Sequence, residues 1–265
     1  ARIESYFAPP VLDTSSNGSA DFALKMIDDA AFAAWVDSNV LDHVQPGYAI
    51  VNISLKPVGG VPGDATAEQM DIVADLAARY SHDEIRVTYE QNLVLPHVRR
   101  DDLYAVWQAL VEAQLGTANI GLLGDMIVCP GLDYCSLANA RSIPVSQQIS
   151  ERFADPERQR KIGKLDIKIS GCINACGHHH VGHIGILGVD KRGKEHYQIT
   201  LGGKANQDAA VGAIVGPAFA EADIADAVET VVDTYLHLRA DGEEFIETVG
   251  RVGIAPFKET LYASH

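Results

Sequence analysis

Hydrophobic and polar positions alternate along this chain with two periods, which predict strands and helices in turn. Residues 48–56 read YAIVNISLK, a β-branched alternating run typical of a strand. Thr66 and Gln69 then form a capping-box pattern, which predicts the start of a helix. Its expected apolar face comprises Met70, Val73, Ala74, Ala77 and Tyr80.

A second strand and helix are predicted directly afterwards. In residues 85–95, IRVTYEQNLVL, the side chains of Ile85, Val87 and Tyr89 alternate as they do in a strand. Asp101 or Asp102 is expected to cap a helix that ends at Gly116. The expected apolar stripe comprises Leu103, Val106, Trp107, Leu110 and Val111. Strand, helix, strand and helix in this order predict a compact βαβα unit.

The chain from residue 119 onward shows four further strand-like runs among helices. They are MIVC at 126–129, KLDIKIS at 164–170, HIGILGV at 183–189 and EHYQITL at 195–201. Pro144 is expected to kink or restart the helix after Cys135, and Asp223 is expected to cap a later helix that begins beside it. That helix should bury Ile224, Val228, Val231, Val232, Tyr235 and Leu238.

The start of the chain lacks such periodicity. Pro9, Pro10, Ser15, Ser16 and Gly18 make the first residues typical of a linker. We therefore predict three segments: a linker and N-terminal extension over 1–45, the βαβα unit over 46–118, and a second domain over 119–265. The fold class expected is α+β, with mixed α/β content.

Composition and charge narrow the function classes. Of 265 residues, 47% are hydrophobic, enough to bury a core. The net charge is −15, with 36 acidic against 21 basic residues, which argues against nucleic acid as a partner. No apolar run is long enough to span a membrane and no secretory signal is evident, so we expect a cytoplasmic protein without a membrane partner.

The four cysteines form two tight pairs. Cys129 and Cys135 lie in CPGLDYC, and Cys172 and Cys176 lie in CINAC, each following a strand-like run. Two short loops of this kind can supply the four converging thiolates of a four-iron cluster. Ordinary buried thiols, a zinc site and disulfides are the alternatives, although a gap of five residues is unusual for structural zinc.

The sequence around these cysteines resembles the signature of the siroheme-containing nitrite and sulfite reductases. The resemblance rests on CPGLDYCSLANA, on SGCINACGHHHVGHIGILG, on the preceding IRVTYEQNLVL and on LGG at 201–203. It covers roughly residues 46–240. The resemblance implies a ferredoxin-like half-unit followed by a siroheme and iron-sulfur domain, whose mixed sheet is flanked by helices.

The resemblance also assigns roles to individual residues. It implies that Cys129, Cys135, Cys172 and Cys176 bind a 4Fe-4S cluster, and that the Cys176 thiolate is also the axial ligand of siroheme iron. Asn174, Gln91 and Asn92 match family positions near the cofactors. The alternatives are a left-handed loop position for Asn174 and a turn at the strand end for Gln91 and Asn92.

Charged and histidine side chains near these motifs are not expected to be iron ligands. His178, His179, His180 and His183 cannot all point at one centre, so we expect hydrogen bonding to siroheme carboxylates or to solvent in preference to iron ligation. Arg86, Arg141, Lys168 and Lys204 lie near the motifs but are expected to be solvated surface charges. No catalytic acid or base is assigned.

Members of the family are about twice this size and have two related halves, of which this chain resembles the second. The start at Ala1 and the resemblance together predict a fragment or subunit that pairs with an N-terminal half. The implied reaction is the six-electron reduction of a small anion, sulfite or nitrite, with a ferredoxin or flavoprotein as electron donor. A non-catalytic iron-sulfur electron-transfer module and a zinc-stabilised binding domain are the competing hypotheses.

Overall fold

The computed structural model describes residues 10–13 and 20–263, and the chain divides into two compact units. The first unit comprises two stretches of chain, the described residues up to Leu55 and then Ala65–Ala118. The second comprises Lys56–Asp64 and the chain from Asn119 onward. Both helices and sheets are present in each unit, so the expected α+β class is confirmed.

The first unit is an antiparallel sheet of four strands with helices. The strands are β1 (Val40–Asp42), β2 (Tyr48–Ile53), β3 (Arg86–Val87) and β4 (Leu93–Arg99), in the order β1-β2-β4-β3. The helices are α1 (Ala20–Asp28), α2 (Ala30–Asn39), α3 (Ala67–Tyr80) and α4 (Leu103–Glu112), the last preceded by a 3-10 turn at Arg100–Asp102.

Within the segment 1–45, predicted as a linker and N-terminal extension, residues 20–42 fold into two helices and a strand. The Asp29 side chain accepts hydrogen bonds from the Ala31 and Phe32 backbone N–H groups, at 3.1 and 3.0 Å, and so caps α2. Phe32 and Trp35 are fully buried in the core of this unit. The Pro- and Ser-rich composition ends before this cap, and residues 1–9 and 14–19 of the predicted linker lie outside the described residues.

Helix α3 has the predicted capping box, with reciprocal hydrogen bonds between Thr66 and Gln69. Its buried face is narrower than predicted. Val73 and Ala77 are buried as expected and Leu76 joins them, whereas Met70 and Ala74 are exposed. The helix therefore contacts its core along one stripe only.

The strand predicted around residues 85–89 is shorter and more exposed than its pattern suggested. Only Arg86 and Val87 form β3, an edge strand that pairs with β4 alone. Its outer position explains why Ile85, Val87 and Tyr89 are exposed. Helix α4 likewise ends at Glu112, short of Gly116. Asp102 precedes that helix without a side-chain cap bond, and of the stripe only Leu103, Val106 and Leu110 are buried.

The second unit contains a mixed six-stranded sheet, as expected. Its strands are β5 (Ile127–Val128), β6 (Ile167–Ser170), β7 (Ile184–Asp190), β8 (Glu195–Leu201), β9 (Ala213–Ile214) and β10 (Phe219–Ala220). The order is β10-β8-β7-β6-β5, and β9 also pairs with β8. The pairs β5–β6 and β6–β7 are parallel, and the other pairs are antiparallel. All four predicted strand-like runs are therefore strands.

Helices cover this sheet and complete the core. They are α5 (Ile143–Arg152), α6 (Pro156–Ile162), α7 (Ile224–Leu238), α8 (Phe245–Val252) and α9 (Ala255–Tyr262). Pro144 lies in the first turn of α5, as expected, whereas Asp223 makes no side-chain cap bond to α7. Inward-facing strand residues such as Ile169 and Ile186 pack in one core with α7. Among the described residues, no helix has the length and apolar composition that crossing a membrane requires.

The segment Lys56–Asp64 is held in the second unit by buried polar contacts. Lys56 Nζ lies 2.5 Å from Asp125 Oδ1, and both side chains are buried. The Gly59 backbone donates to Ser150 Oγ at 2.9 Å, and Gln147 Nε2 donates to the Gly59 carbonyl at 3.0 Å. These bonds explain why nine residues between β2 and α3 leave the first unit.

Trp35→Ala tests whether residues 20–42 belong to the folded first unit. Removing a fully buried indole should lower the free energy of unfolding by about 3–5 kcal/mol, because the cavity cannot close completely. Urea unfolding followed by far-UV circular dichroism measures the change. Val44→Ala is the control, since Val44 is 98% exposed and its loss should change stability by less than about 0.5 kcal/mol. Equally small changes in the free energy of unfolding of both variants would contradict the assignment of residues 20–42 to the folded first unit.

Candidate metal centre

The two cysteine loops leave the sheet side by side. Strands β5 and β6 are parallel neighbours in which Val128 pairs with Ile169. Cys129 directly follows β5, and Cys172 follows β6 after Gly171. Because the carboxyl ends of neighbouring parallel strands meet at one edge of a sheet, both cysteine pairs start from the same place.

Backbone hydrogen bonds then tie the two loops together. The Asn139 and Ala140 N–H groups both donate to the Gly171 carbonyl, at 2.9 and 3.0 Å. In the other direction, the Gly171 N–H donates to Cys129 Sγ at 3.1 Å. The loop that begins at Cys129 is therefore fixed against the residue that precedes Cys172.

Glycines make this close approach possible. A Cβ atom at Gly131 or at Gly171 would lie 2.6 Å from the Ala140 carbonyl oxygen, closer than real Cβ contacts. A Cβ atom at Gly177 would overlap the Ile169 carbonyl. The glycines beside the cysteines are thus required by backbone packing, and their presence in the motif has a physical reason.

The four thiols are free and differ in exposure. Cys129 and Cys172 are buried, Cys135 is half-buried and Cys176 is exposed. The backbone on either side of Cys176 is unusual, because Ala175 and His178 have φ angles of 56° and 57°. Left-handed geometry at residues other than glycine costs on the order of 1 kcal/mol each and is concentrated at functional sites.

This arrangement suits a cluster better than a single ion. Within the described part of the chain, no three His, Cys, Asp or Glu side chains come together closely enough to bind one metal ion. A structural zinc site requires four ligands at about 2.0–2.3 Å from one centre. A four-iron cluster is a larger body whose thiolates approach from separate directions. The four free thiols lie on two loops that hydrogen bonds join, and they are the ligand type that such a cluster uses.

Asn174 is exposed between the second pair of cysteines. The left-handed explanation for this residue is wrong, since Ala175, its neighbour, has the positive φ angle instead. Tight packing of Gly177 against β6 constrains this turn from outside the local sequence. A cofactor-binding role for Asn174 stays a prediction.

Gln91 and Asn92 lie in the first unit, in the turn of the β3–β4 hairpin. Gln91 has a φ angle of 62°, and its backbone N–H donates to the Thr88 carbonyl at 3.2 Å. Asn92 is buried, and its Oδ1 accepts a hydrogen bond from the Leu55 N–H at 3.2 Å. The turn explanation therefore describes both residues, and their predicted contact with cofactors remains untested.

The histidines after Cys176 point in different directions, as expected for consecutive residues. His178 and His180 are exposed, whereas His179 is buried. Burial lowers the pKa of His179 to about 4, with a smaller contribution from His180. Burial likewise lowers the pKa of His183 to about 4, and its Nδ1 accepts a hydrogen bond from the Asp166 N–H at 3.2 Å. The buried ring of His179 and the half-buried ring of His183 are both neutral at pH 7.

Two of the four basic residues singled out in the sequence are paired surface charges. Arg86 lies 2.6 Å from Glu84, and Arg141 lies 3.1 Å from Glu195 and 3.6 Å from Glu221. Lys204 is half-buried.

Lys168 contradicts the prediction of a surface charge, because it is only 2% exposed and lies 2.9 Å from Asp166 Oδ2. Ile167 and Ile169 face the core, so Lys168 points to the opposite face of the sheet, where Gly182 covers it. Burial raises the pKa of Asp166 despite this partner.

Comparison with protein families agrees with this architecture. Residues 123–265 match the model of the nitrite and sulphite reductase 4Fe-4S domain. Residues 53–113 match the nitrite/sulfite reductase ferredoxin-like half domain. The first match lies within the second unit, and the second match covers most of the Ala65–Ala118 stretch of the first unit together with the segment Lys56–Asp64 of the second.

Sequence relatives include sulfite and nitrite reductases, and a solved structure has a similar fold. Sulfite reductase [ferredoxin] 2 of Mycolicibacterium paratuberculosis is 30% identical over 78% of this chain and 39% of its own length. The chloroplastic ferredoxin–nitrite reductase of Zea mays is 33% identical over 62% of this chain and 29% of its own. The NirA protein structure of Mycobacterium tuberculosis has a TM-score of 0.67 at 24% identity, over 83% of this chain and 41% of that one. The chain thus spans well under half the length of these relatives.

His183→Asn tests the neutral half-buried histidine. An unfolded histidine titrates near 6.5 and the folded one near 4, so the unfolded chain binds the extra proton and stability falls as pH drops from 6.5 to 4. Asparagine keeps an acceptor for the Asp166 N–H but does not titrate, so this loss, at most about 3 kcal/mol, should disappear. Urea unfolding at pH 7 and at pH 4.5 measures it, with the exposed His237→Asn as control. An unchanged pH slope would contradict the assignment.

Proposed function

The chain belongs to the nitrite and sulfite reductase family, and we propose that it is the half of such an enzyme that carries both the iron-sulfur cluster and the siroheme. In this proposal it is the C-terminal half of an assimilatory reductase that converts sulfite to sulfide or nitrite to ammonia. The proposal is supported by the match of the cysteine-bearing unit to the family's 4Fe-4S domain.

The exposure of the four thiols is the observation that carries the siroheme part of this proposal. A thiolate that binds only the cluster can be buried by its own loops, as Cys129 and Cys172 are. A thiolate that also binds a second iron must remain open on its outer side. Cys176 is the exposed member of the set, and it lies in a turn with left-handed residues on both sides.

The residues of this chain hold, orient and shield the cofactors. When bound, the cluster and siroheme would supply one-electron transfer and an iron centre for the substrate anion. Cys129 and Cys172 would be cluster ligands shielded from water, and Cys135 would add a half-buried third. The Gly171 N–H, which faces Cys129 Sγ, would compensate part of the thiolate charge.

The other half of the enzyme is proposed to supply the cations that bind substrate. Sulfite, nitrite and the siroheme carboxylates are all anionic and require positive partners. Arg86, Arg141 and Lys168 are each already paired with a carboxylate of this chain. Their charge is therefore largely neutralised, which supports an N-terminal half as the source of the basic pocket.

Ferredoxin is the electron donor that we propose, with a flavoprotein as the alternative. Both sequence relatives are named as ferredoxin-dependent reductases. This chain carries a net charge of −15, so docking of an acidic ferredoxin would depend on a local patch or on the other half. We expect the free thiols to require a reducing compartment such as the cytoplasm.

Two competing functions make different demands on the fold. An electron-transfer module without siroheme would not need a ferredoxin-like half domain, yet residues 53–113 match that domain. A zinc-stabilised binding domain would need four ligands around one ion, and the described residues contain no such group. The reductase half explains both units of the chain.

Cys176→Ser tests the bridging thiolate. The chain is produced anaerobically together with a candidate N-terminal half, and the absorption spectrum is recorded with iron and acid-labile sulfide content. The wild type should show siroheme bands and cluster iron, and the variant should lose the siroheme bands, because an alcohol is a poor ligand for both irons. Ser136→Ala, an exposed change beside Cys135, is the control and should keep both signals.

Retention of a normal siroheme spectrum in Cys176→Ser would remove the bridging role. A cluster without siroheme in the wild type, even with the other half present, would reduce the proposal to an electron-transfer module.

A further inference from the structure

Cys129 Sγ faces a second polar group besides the Gly171 N–H. Ser142 Oγ lies 3.7 Å from Cys129 Sγ, a hydrogen-bond distance for sulfur. We propose that the Ser142 hydroxyl donates a hydrogen bond to the Cys129 thiolate and thereby raises the reduction potential of the cluster. The inference rests on the proposed function, since it assigns Ser142 as a positioning residue for the same cluster.

Ser142 occupies the N-cap position of α5, where a serine side chain ordinarily caps the helix. It is the residue that precedes α5, and serine at this position usually accepts a hydrogen bond from the first turn of the helix. Here its side chain makes no such cap bond. The hydroxyl is directed at Cys129, although Ser142 is fully buried and a buried hydroxyl needs a partner.

The segment that carries Ser142 is held from both sides. The Arg141 N–H donates to Glu195 Oε2 at 2.7 Å, and Tyr197 OH donates to the Arg141 carbonyl at 2.8 Å. The preceding Ala140 N–H donates to the Gly171 carbonyl at 3.0 Å. Ser142 therefore cannot move away from Cys129 without breaking several buried contacts.

Neighbouring glycines leave the space that this contact occupies. A Cβ atom at Gly131 would lie 3.0 Å from Ser142 Oγ, and one at Gly171 would lie 3.2 Å from it. Both glycines belong to the cysteine loops. The same close packing that joins the loops thus brings the hydroxyl and the thiol together at buried positions.

The effect on the cluster follows from charge. Reduction adds an electron, and part of the added negative charge resides on the thiolate sulfurs. Donors to those sulfurs stabilise the reduced state and raise the potential, most strongly where water is excluded. Cys129 is buried and faces two donors, one from the backbone and one from Ser142. The side-chain donor is the one that mutation can remove.

Ser142→Ala in the cluster-loaded 265-residue chain tests the inference, by a redox titration followed by low-temperature EPR. Loss of the hydroxyl should lower the ratio of reduced to oxidised cluster three- to tenfold at a fixed potential, a shift of about 30 to 60 mV to more negative values. Ser142→Thr keeps the hydroxyl and should stay near the wild type.

Ser146→Ala is the matched control. Ser146 is also fully buried in α5, but its hydroxyl donates to the Ile143 carbonyl at 2.7 Å, so its removal should leave the potential unchanged. An unmoved potential in Ser142→Ala, or an equal shift in Ser146→Ala, would overturn the inference while the cluster itself stands. A wild type without a cluster signal would overturn the proposed function, and the inference with it.

Discussion

The parallel pairing of β5 with β6 is the interaction on which the candidate site depends. It places the ends of two strands side by side, and each end continues into a loop with two cysteines. The loops are then joined through one carbonyl, that of Gly171, which accepts two backbone hydrogen bonds. The first and last of the four cysteines, Cys129 and Cys176, are 47 residues apart in sequence. The strand pairing and these hydrogen bonds together place the two loops that carry them side by side.

That constraint also fixes the chemistry around the loops. Glycine is required at 131, 171 and 177 because the backbones approach too closely for a side chain. The approach excludes water from Cys129 and Cys172, directs a backbone N–H at one sulfur and leaves Cys176 open. A charged side chain is buried as well: Lys168 forms an ion pair with Asp166 on the second face of the same sheet. Removing one member of such a pair is costly, because the other is left uncompensated.

Sequence predicted best the features that depend on neighbouring residues. The capping box of Thr66 and Gln69 is complete within four residues, and the longer strands of the second unit, β6, β7 and β8, lie in runs with strand-like patterns. The two cysteine pairs could be recognised as a candidate cluster site from their spacing and adjacent glycines alone. Family resemblance added the cluster and the ferredoxin-like unit, both of which agree with the family models.

Features decided by distant contacts were missed. The helices and strand within residues 20–42 were not predicted individually, although Asp29 is a typical helix N-cap residue. Lys168 was expected at the surface because charged side chains near a motif are usually solvated. Asp166, which lies two residues earlier and just before β6, was the available signal for a buried pair. The left-handed φ angle at Ala175 had no local signal, because alanine rarely adopts this conformation.

The content of iron, acid-labile sulfide and zinc in anaerobically prepared protein tests the central claim most directly. Four cluster iron and four sulfide per chain, with a fifth iron where siroheme is also bound and with negligible zinc, is the result that the four-thiolate site predicts. One zinc per chain without iron or sulfide would contradict it, because the same four cysteines would then hold a single ion.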